Sequence, residues 1–406
     1  MKKFYILVIT IFTINISNAQ WTSQTSGSST YLISVYFTDT NTGYVVGWNG
    51  TILKTTNGGN TWSNEISGTT KALISVFFTN SDTGYISGEN GTILKTSNGG
   101  NSWINQTISA TNSLRSIYFL DNNIGYIVGD VGKMLKTENG GTTWSTIDPG
   151  TTYNLFSICF LNSNIGFIVG TKTTSNTKKC SILKTINGGT NWTTIFSDTS
   201  YSLNSIFFAD NNTGYVVGWD GKILKTSNGG TTWSKLNCGF INGLSSVYFT
   251  DANVGYILGS DTSNNGIILK TTDGGVKWTN QFLLTSSIFN SVFFINTTIG
   301  YAVGNNGSIL KTTNGGGVEI SDLKRVQDYF KIFPNPTSDK LSIDLQAIKD
   351  LQNTTITIYN MQGQLLLQES IKQPLSELNI SSLVKGVYVL KAITGNEVTM
   401  QKLIKQ

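Results

Sequence analysis

The 406-residue chain contains no histidine. This excludes a His-ligated metal site, a Ser–His–Asp triad and a Cys–His dyad. Carboxylates are the main reactive groups that remain, and two of them hydrolyse a glycosidic bond when they lie roughly 5–10 Å apart. The candidate pairs are Glu89 with Asp130 and Asp220 with Asp261. No residue spacing is typical of metal ligation, so we predict neither a metal nor another cofactor.

Three further side chains are candidates for ligand binding. Trp48 and Trp219 stand where other copies of a sequence repeat carry polar residues, so they are expected to stack on sugar rings or to anchor a partner protein. Arg115 stands where three other copies carry isoleucine or phenylalanine. We expect it to point into the mouth of a central channel and to hold an anionic group there.

The repeat that places these residues occurs seven times. Its first copy spans residues 33–62, and its lysine recurs at positions 54, 95, 136, 184, 225, 270 and 311. Within this copy, turn residues separate four short strands, predicted at 33–37, 43–47, 51–55 and 61–67. Four strands in about 41 residues are typical of a β-propeller blade. The repeat lysines are expected to be solvated residues at strand ends.

The ends of the repeat array indicate a closed ring. The seventh copy stops at Gly316 and lacks its final tryptophan, whereas Trp21 stands 41 residues before Trp62. The first residues therefore supply the outer strand that the last copy lacks, and this removes exposed sheet edges. We predict an all-β protein in which a seven-bladed β-propeller, closed by its N-terminal strand, spans residues 20–316.

One face of this propeller is the predicted ligand face. The loops between the second and third strands lie opposite the hairpins that end each copy, and the copies differ most in these loops. Copies four and six carry insertions there, at 171–179 and 260–265. Variation on one rim of a uniform scaffold is typical of a binding surface. Its predicted members are Trp48, Asn49, Glu89, Arg115, Asp130, Trp219, Asp220 and Asp261.

The motif Thr-Thr-Asn-Gly-Gly-Asn-Thr-Trp at residues 55–62 resembles the Asp-box of sialidases and related propellers. In those families the box is a folding hairpin remote from catalysis, so the resemblance implies a structural role. The repeat tryptophans are accordingly predicted to pack between blades: Trp21, Trp62, Trp103, Trp144, Trp192, Trp233 and Trp278. The chain has only two arginines, Arg115 and Arg325, and so cannot form the three-arginine clamp of sialidases.

The complete repeat, Gly-Tyr-x-x-Gly-x-x-Gly-x-Ile-Leu-Lys-Thr-x-Asn-Gly-Gly-x-x-Trp, resembles that of the photosystem II stability and assembly factor family. The resemblance covers residues 20–319. Members of that family bind partner proteins and are not enzymes. It therefore implies a binding module here, and we do not carry over the photosynthetic role.

The N-terminus is typical of a secretory signal peptide. Lys2 and Lys3 precede an apolar run at residues 4–16, and cleavage is predicted between Ala19 and Gln20. No later apolar run approaches the length of a membrane span. Export permits a disulfide between Cys159 and Cys180, although a buried thiol is the simpler interpretation of Cys159.

The last part of the chain differs in composition. Alternating apolar residues at 341–345, 356–359 and 387–390 predict a small β-sandwich. With the motif Pro-Asn-Pro-Thr-Ser-Asp at 334–339, residues 331–406 resemble the type A C-terminal sorting domain of the type IX secretion system of Bacteroidetes. The resemblance implies transport by that machinery through the periplasm and outer membrane to the cell surface or medium. Residues 317–330 are then a linker.

The charge of the propeller is nearly balanced, with 16 basic and 15 acidic residues once residues 1–19 and 320–406 are set aside. A nucleic-acid groove needs a dense basic face, so nucleic acid is not a predicted partner. We predict an exported, non-enzymatic propeller that binds a protein or glycan. The alternatives are a glycan-active hydrolase that uses a carboxylate pair and a structural component of a surface matrix.

Overall fold

The computed structural model describes residues 21–174, 178–199, 202–237, 243–261, 265–282, 287–316, 331–345, 354–360, 365–394 and 397–406. The predicted signal peptide 1–19, its cleavage site at Ala19 and Gln20, the predicted linker 317–330 and Cys238 lie outside these residues. Contacts divide the chain into two compact units, Met1–Val318 and Glu319–Gln406.

The regular secondary structure of the first unit is almost entirely short antiparallel strands. They are β1 Thr22–Gln24, β2 Leu32–Phe37, β3 Gly43–Gly47, β4 Ile52–Thr55, β5 Ser63–Glu65, β6 Leu73–Phe78, β7 Gly84–Gly88, β8 Ile93–Thr96, β9 Ile104–Asn105, β10 Leu114–Phe119, β11 Gly125–Gly129, β12 Met134–Thr137, β13 Ser145–Ile147, β14 Asn154–Phe160, β15 Gly166–Thr173, β16 Lys178–Thr185, β17 Thr193–Asp198, β18 Leu203–Phe208, β19 Gly214–Gly218, β20 Lys222–Thr226, β21 Ser234–Asn237, β22 Leu244–Phe249, β23 Gly255–Ser260, β24 Gly266–Thr271, β25 Thr279–Phe282, β26 Phe289–Phe294, β27 Gly300–Gly304 and β28 Ile309–Thr312. Short 3₁₀ turns follow three of the second strands, at Trp48–Gly50, Glu89–Gly91 and Asp130–Gly132.

In the described part of the chain these strands form seven four-stranded sheets, which are the blades. The first strand of each sheet contacts the first strands of its two neighbours, and β26 contacts β2, so the ring is closed. The last blade has the order β1-β28-β27-β26, with Thr22 paired to Lys311. The predicted all-β propeller closed by an N-terminal strand is confirmed.

The hydrophobic core of this unit lies between adjacent blades. The second strand of each blade is buried, and its aromatic residue packs against the first strand of the next blade. Tyr44, for example, stacks on Phe78 with 4.1 Å between ring centroids. The repeat tryptophan then packs edge-on against the same phenylalanine, as Trp103 does against Phe78 at 6.0 Å. Such aromatic pairs stabilise the contact beyond the area they bury.

The prediction that the repeat lysines are solvated is wrong for most of them. Lys95 lies over the ring of Tyr85, and its Nζ donates a 2.6 Å hydrogen bond to the carbonyl oxygen of Gly140 in the next blade. Tyr85 donates to the same oxygen at 2.8 Å. Four further lysines make the equivalent hydrogen bond to a glycine of the neighbouring blade: Lys184, Lys225, Lys270 and Lys311. These lysines therefore hold neighbouring blades together.

The Asp-box hairpins are held by their own side chains. Thr55 donates to Asn57 Oδ1, which also accepts the backbone N–H of Thr61 at 2.9 Å. The N–H of Gly59 donates to Thr55 Oγ1 at 2.9 Å, and Gly59 has a φ of 83° that glycine adopts without strain. The box is thus a folding device in this chain, since its polar atoms satisfy the turn itself.

The second unit is a two-sheet sandwich. Its strands are β29 Lys331–Phe333, β30 Lys340–Asp344, β31 Thr354–Tyr359, β32 Leu365–Ile371, β33 Leu375–Asn379, β34 Gly386–Thr394 and β35 Glu397–Lys405. Their orders are β29-β30-β33 and β32-β31-β34-β35, and both sheets contribute to one core that includes Leu341 and Ile358. Lys405 is almost fully buried and its Nζ donates to the carbonyl oxygen of Ser338 and to Asp339.

Candidate ligand face and channel mouth

The loops between second and third strands lie on the same face as the connections between blades. In the first blade the N–H of Trp48 donates to the carbonyl oxygen of Tyr31, and the N–H of Gly50 donates to that of Lys71, both at 2.9 Å. These hydrogen bonds attach the turn to the two connections, one that leads into the blade and one that leads out of it. The predicted ligand face is therefore a continuous surface of turns and connections.

A β-bulge at the start of each first strand directs one side chain into the central channel. The strand register shifts between Leu32 and Ser34, and equivalent shifts occur in the other six blades. Bulges of this kind commonly re-aim a side chain next to a functional site. The seven half-buried residues at this position are Ile33, Ile74, Arg115, Phe156, Asn204, Ser245 and Asn290.

These seven residues line a depression of about 390 Å³, which we call the channel mouth. Tyr31 and Trp48 complete its rim. Apolar side chains predominate in blades one to four, whereas blades five to seven contribute amides and a hydroxyl. The polar side chains also bind the next blade: Asn204 donates to the carbonyl oxygen of Leu244 at 2.8 Å, and Ser245 to that of Phe289 at 2.7 Å.

A belt of serines lies immediately below the mouth. Each serine Oγ accepts a backbone N–H from the first strand of the following blade at 3.3–3.4 Å, and Ser291 closes the belt by accepting the N–H of Val35. The members are Ser34, Ser75, Ser116, Ser157, Ser205, Ser246 and Ser291. This belt fixes the spacing of the blades around the mouth.

Aromatic rings follow the serines two residues further along six of the seven first strands, and the fourth blade carries Cys159 at this position. Tyr36 contacts Phe77 and Phe293, with ring centroids 5.4 and 5.0 Å apart. Burial raises the pKa of Tyr118 and of Tyr248, at the same position in other blades, to about 12. Since alternate residues of a strand share a face, these rings occupy the channel beneath the mouth, which is thus a shallow site.

Arg115 lies at the mouth as expected, but its charge is already paired. Nε and one terminal nitrogen bind the two carboxylate oxygens of Asp130, and the guanidinium stacks 4.9 Å from the ring centre of Phe156. Both members of the pair are partly buried, with 31% of the Arg115 side chain and 20% of the Asp130 side chain exposed. The expectation that Arg115 is available for an anionic ligand is therefore wrong, because Asp130 neutralises it.

The two candidate tryptophans are half-exposed platforms. Trp48 stacks on Tyr31 with 4.9 Å between ring centroids and 22° between planes, and 51% of it is exposed. Trp219 is 50% exposed and lies against Gly243, where an added Cβ would approach the indole to 2.9 Å. Only Trp48 lines the mouth. The next residues, Asn49 and Asp220, have φ values of 56° and 61° and form their turns.

The candidate carboxylates are engaged locally. Glu89 accepts the backbone N–H of Ala72 at 3.3 Å. Asp261 accepts the backbone and side-chain N–H groups of Asn265 at 2.8 and 3.0 Å. With Asp130 bound to Arg115, three of the four proposed catalytic groups have a structural partner, and none of these contacts joins the members of a proposed catalytic pair.

Of the seven mouth residues, only Arg115 is predicted from the sequence. The signal that could have found the others is the variable position immediately before the repeated serine. Within the described residues no group of three or more His, Cys, Asp or Glu side chains could hold a metal ion. Cys159 and Cys180 are free thiols, so the possible disulfide is absent, and burial raises the pKa of Cys180 to about 11.

Comparison with known proteins supports the two-part organisation. Residues 64–152 and 143–240 match the family described as Photosynthesis system II assembly factor YCF48, and residues 331–406 match the Secretion system C-terminal sorting domain family. Comparison with curated protein sequences finds no match. No described helix is long and apolar enough to cross a membrane.

Solved structures share the fold. YCF48 bound to a D1 peptide is 22% identical, with a TM-score of 0.62 over 74% of this chain and 96% of that one. YCF48 from Cyanidioschyzon merolae is 20% identical, with a TM-score of 0.59 over 72% and 98%. PorZ, a surface component of the type IX secretion system of Porphyromonas gingivalis, is 12% identical, with a TM-score of 0.55 over 94% and 60%. The chain thus combines a YCF48-like propeller with a type IX sorting tail, and it is a protein secreted to the cell surface or medium.

Proposed function

We propose that the protein is a non-enzymatic binding module whose channel mouth holds an extended segment of a partner protein. The observation that carries this proposal is the lining of the mouth. Ile33, Ile74 and Phe156 offer an apolar side. Asn204 and Asn290 lie on the other side and offer their amide oxygens, since their Nδ2 groups donate to the next blade. An extended peptide presents apolar side chains together with backbone groups that bond to amides, so both sides of the mouth have a counterpart on it.

The electrostatics and the depth of the mouth favour the same ligand. Because the charges of Arg115 and Asp130 cancel, the mouth does not favour a strongly anionic or a strongly cationic ligand. The aromatic layer limits entry to a side chain or a chain segment. A precedent is the solved complex of YCF48 with a D1 peptide, in which a similar propeller binds a peptide. The type IX secretion machinery is a second proposed partner, through residues 331–406.

A glycan is the second candidate ligand, and Trp48 and Trp219 support it. Stacked or backbone-supported indoles with an exposed surface are suited to sugar rings. Their placement on blades one and five would require a glycan that reaches across the face or binds at one platform. Hydrolysis gains no comparable support, because Asp130, Glu89 and Asp261 are held by structural partners.

The test of peptide binding begins with selection from a phage-displayed library of random peptides against the purified protein. The affinity of the best peptide is then measured with Phe156→Ala, which removes an apolar wall of the mouth. We expect about a tenfold loss, since burial of one such side chain contributes 1.5–3 kcal/mol. Ile66→Ala is the control, because Ile66 is exposed and does not line the mouth. Equal affinity of Phe156→Ala and the unaltered protein would overturn the proposed site.

Affinity electrophoresis through gels that contain different polysaccharides tests the glycan alternative. Retardation that Trp48→Ala or Trp219→Ala abolishes would favour a glycan, and a cleared zone would contradict the non-enzymatic proposal.

The domain boundaries are tested by export. Protein that lacks residues 317–406 should fold and stay in the periplasm, and its appearance outside the cell would contradict the proposed role of the tail.

A further inference from the structure

One residue on the ligand face has a backbone conformation that its side chain disfavours. Among the residues that the structure describes, five blades carry a non-glycine residue with a positive φ in the turn between second and third strands. In four of them it is asparagine or aspartate, which tolerate this region: Asn49, Asn90, Asp220 and Asn306. In the third blade it is Val131, with φ 57° and ψ 40°. A β-branched residue is strained there, because its Cβ substituents crowd the backbone.

The surrounding structure holds Val131 in this conformation. Its N–H donates to Asn154 Oδ1 at 2.9 Å, and the N–H of Gly132 donates to the carbonyl oxygen of Tyr153 at 2.7 Å. Both acceptors belong to the fourth blade or to the connection that leads into it. The side chain itself contributes little to the core, since 63% of Val131 is exposed. The strain is therefore not offset by burial of the isopropyl group.

The position of Val131 relates it to the mouth. The preceding residue, Asp130, binds Arg115, which stacks on Phe156. Asn154, which accepts the N–H of Val131, lies two residues before Phe156 on the same strand. Val131 is thus linked to the apolar side of the mouth through Asp130 and Asn154, and it lies on the ligand face outside the residues that line the mouth. A strained and exposed apolar residue beside a binding site is best explained by a contact that forms when the ligand is present.

We propose that Val131 is a partner-contact residue that receives an apolar side chain of the bound peptide. The inference rests on the proposed function and specifies it. The partner segment carries an apolar side chain that lies against Val131, next to the part of the segment that enters the mouth beside Phe156. The valine is thus retained at a cost in stability, which is the feature that separates it from an incidental surface residue.

The test uses Val131→Asn, which gives the third blade the residue that serves in three others. We expect its Tm to rise by about 2–4 °C as the strain is relieved. Its affinity for the selected peptide should fall about tenfold, as expected for loss of one apolar contact. The matched control is Asn90→Val, which places the same strain in the second blade. It should lower the Tm by a similar amount and leave the affinity unchanged.

The outcomes separate this inference from the proposed function. If Val131→Asn binds the peptide as tightly as the unaltered protein while Phe156→Ala binds it weakly, the mouth binds peptides and Val131 is not a contact. If the Tm of Val131→Asn does not rise, the premise of a retained strain is wrong. If Phe156→Ala and Val131→Asn both bind as the unaltered protein does, both proposals fail.

Discussion

Replacement of Trp21 by alanine tests how the N-terminal strand closes the ring. Trp21 is buried and contacts Phe294 edge-on, with 5.8 Å between ring centroids, and Tyr256 at 6.3 Å. Truncation of a buried aromatic residue to alanine costs about 3–5 kcal/mol of the free energy of unfolding. The indole N–H has no hydrogen-bond partner among the described residues, so the loss is one of packing. We therefore expect a value near the lower limit, about 3 kcal/mol.

Trp278→Ala is the matched control. Trp278 packs as Trp21 does, but its outer strand is joined to the neighbouring strand by a hairpin, whereas that of Trp21 is not. Trp278 is also buried, and it contacts Phe249 edge-on at 6.1 Å. Its outer strand β25 follows β24 directly through a hairpin. Strand β1 pairs with β28 through three residue pairs and has no hairpin connection to it, since most of the chain separates the two strands. Loss of Trp21 should therefore release β1, whereas loss of Trp278 should leave its hairpin in place.

Urea unfolding and hydrogen exchange measure the two effects. Both variants should lose about 3 kcal/mol, but only Trp21→Ala should show faster exchange of the amides in Thr22–Gln24 and Ile309–Thr312. A loss below about 1 kcal/mol for Trp21→Ala, together with the full loss for Trp278→Ala, would refute the reasoning. It would mean that β1 contributes little to the stability of the last blade.

Three further predictions concern titration, the ion pair and the sorting domain. Burial raises the pKa of Tyr85 to about 12. The neutral side chain therefore contributes fully to the free energy of unfolding below about pH 10, and this contribution is lost as the pH rises towards the raised pKa. Urea unfolding of Tyr85→Phe should lack this part of the alkaline loss, and an unchanged pH profile would contradict the assignment. A double-mutant cycle with Arg115→Met and Asp130→Asn should give a coupling energy of about 1 kcal/mol, and additive effects would mean that the pair stabilises nothing. Lys405→Met removes hydrogen bonds to Ser338 and Asp339, and should lower the free energy of unfolding of the sorting domain by about 1–3 kcal/mol. A denaturation curve identical to that of the unaltered protein would contradict the last prediction.

The architecture could be predicted because the repeat encodes local geometry at every copy. Turn residues, strand alternation and the displaced Trp21 are all visible in one chain, and each corresponds to a nearby structural feature. The role of Lys95 could not be predicted in the same way. Its acceptor, Gly140, belongs to the next blade and lies 45 residues away. Spacing places the lysine on its strand but does not show which neighbouring group it meets.

The candidate site shows the same limit. The sequence placed Arg115 at the mouth, yet its pairing with Asp130 depends on a bulge and a turn that bring residues 15 positions apart into contact. The equivalent contact recurs between Asn290 and Asn305, at 3.2 Å. A search for complementary residues at this offset within each copy would have found the third-blade pair. It would not have found Phe156, whose contact with Arg115 comes from the next blade.

Each blade has positions whose residue recurs and positions whose residue varies, and this division explains how such a scaffold can acquire a ligand. Stability rests on residues that recur, such as the serine belt and the lysine and tyrosine contacts to glycine carbonyls. Ligand chemistry rests on the mouth position and the adjacent turn, which vary from blade to blade. Substitutions at mouth positions whose side chains donate no hydrogen bond to the next blade, such as Ile33 and Ile74, should therefore change binding with little effect on folding. Val131 is the informative exception, because there the ligand face carries a residue that the scaffold disfavours, and a rise in Tm accompanied by a loss of affinity is expected only if binding selected it.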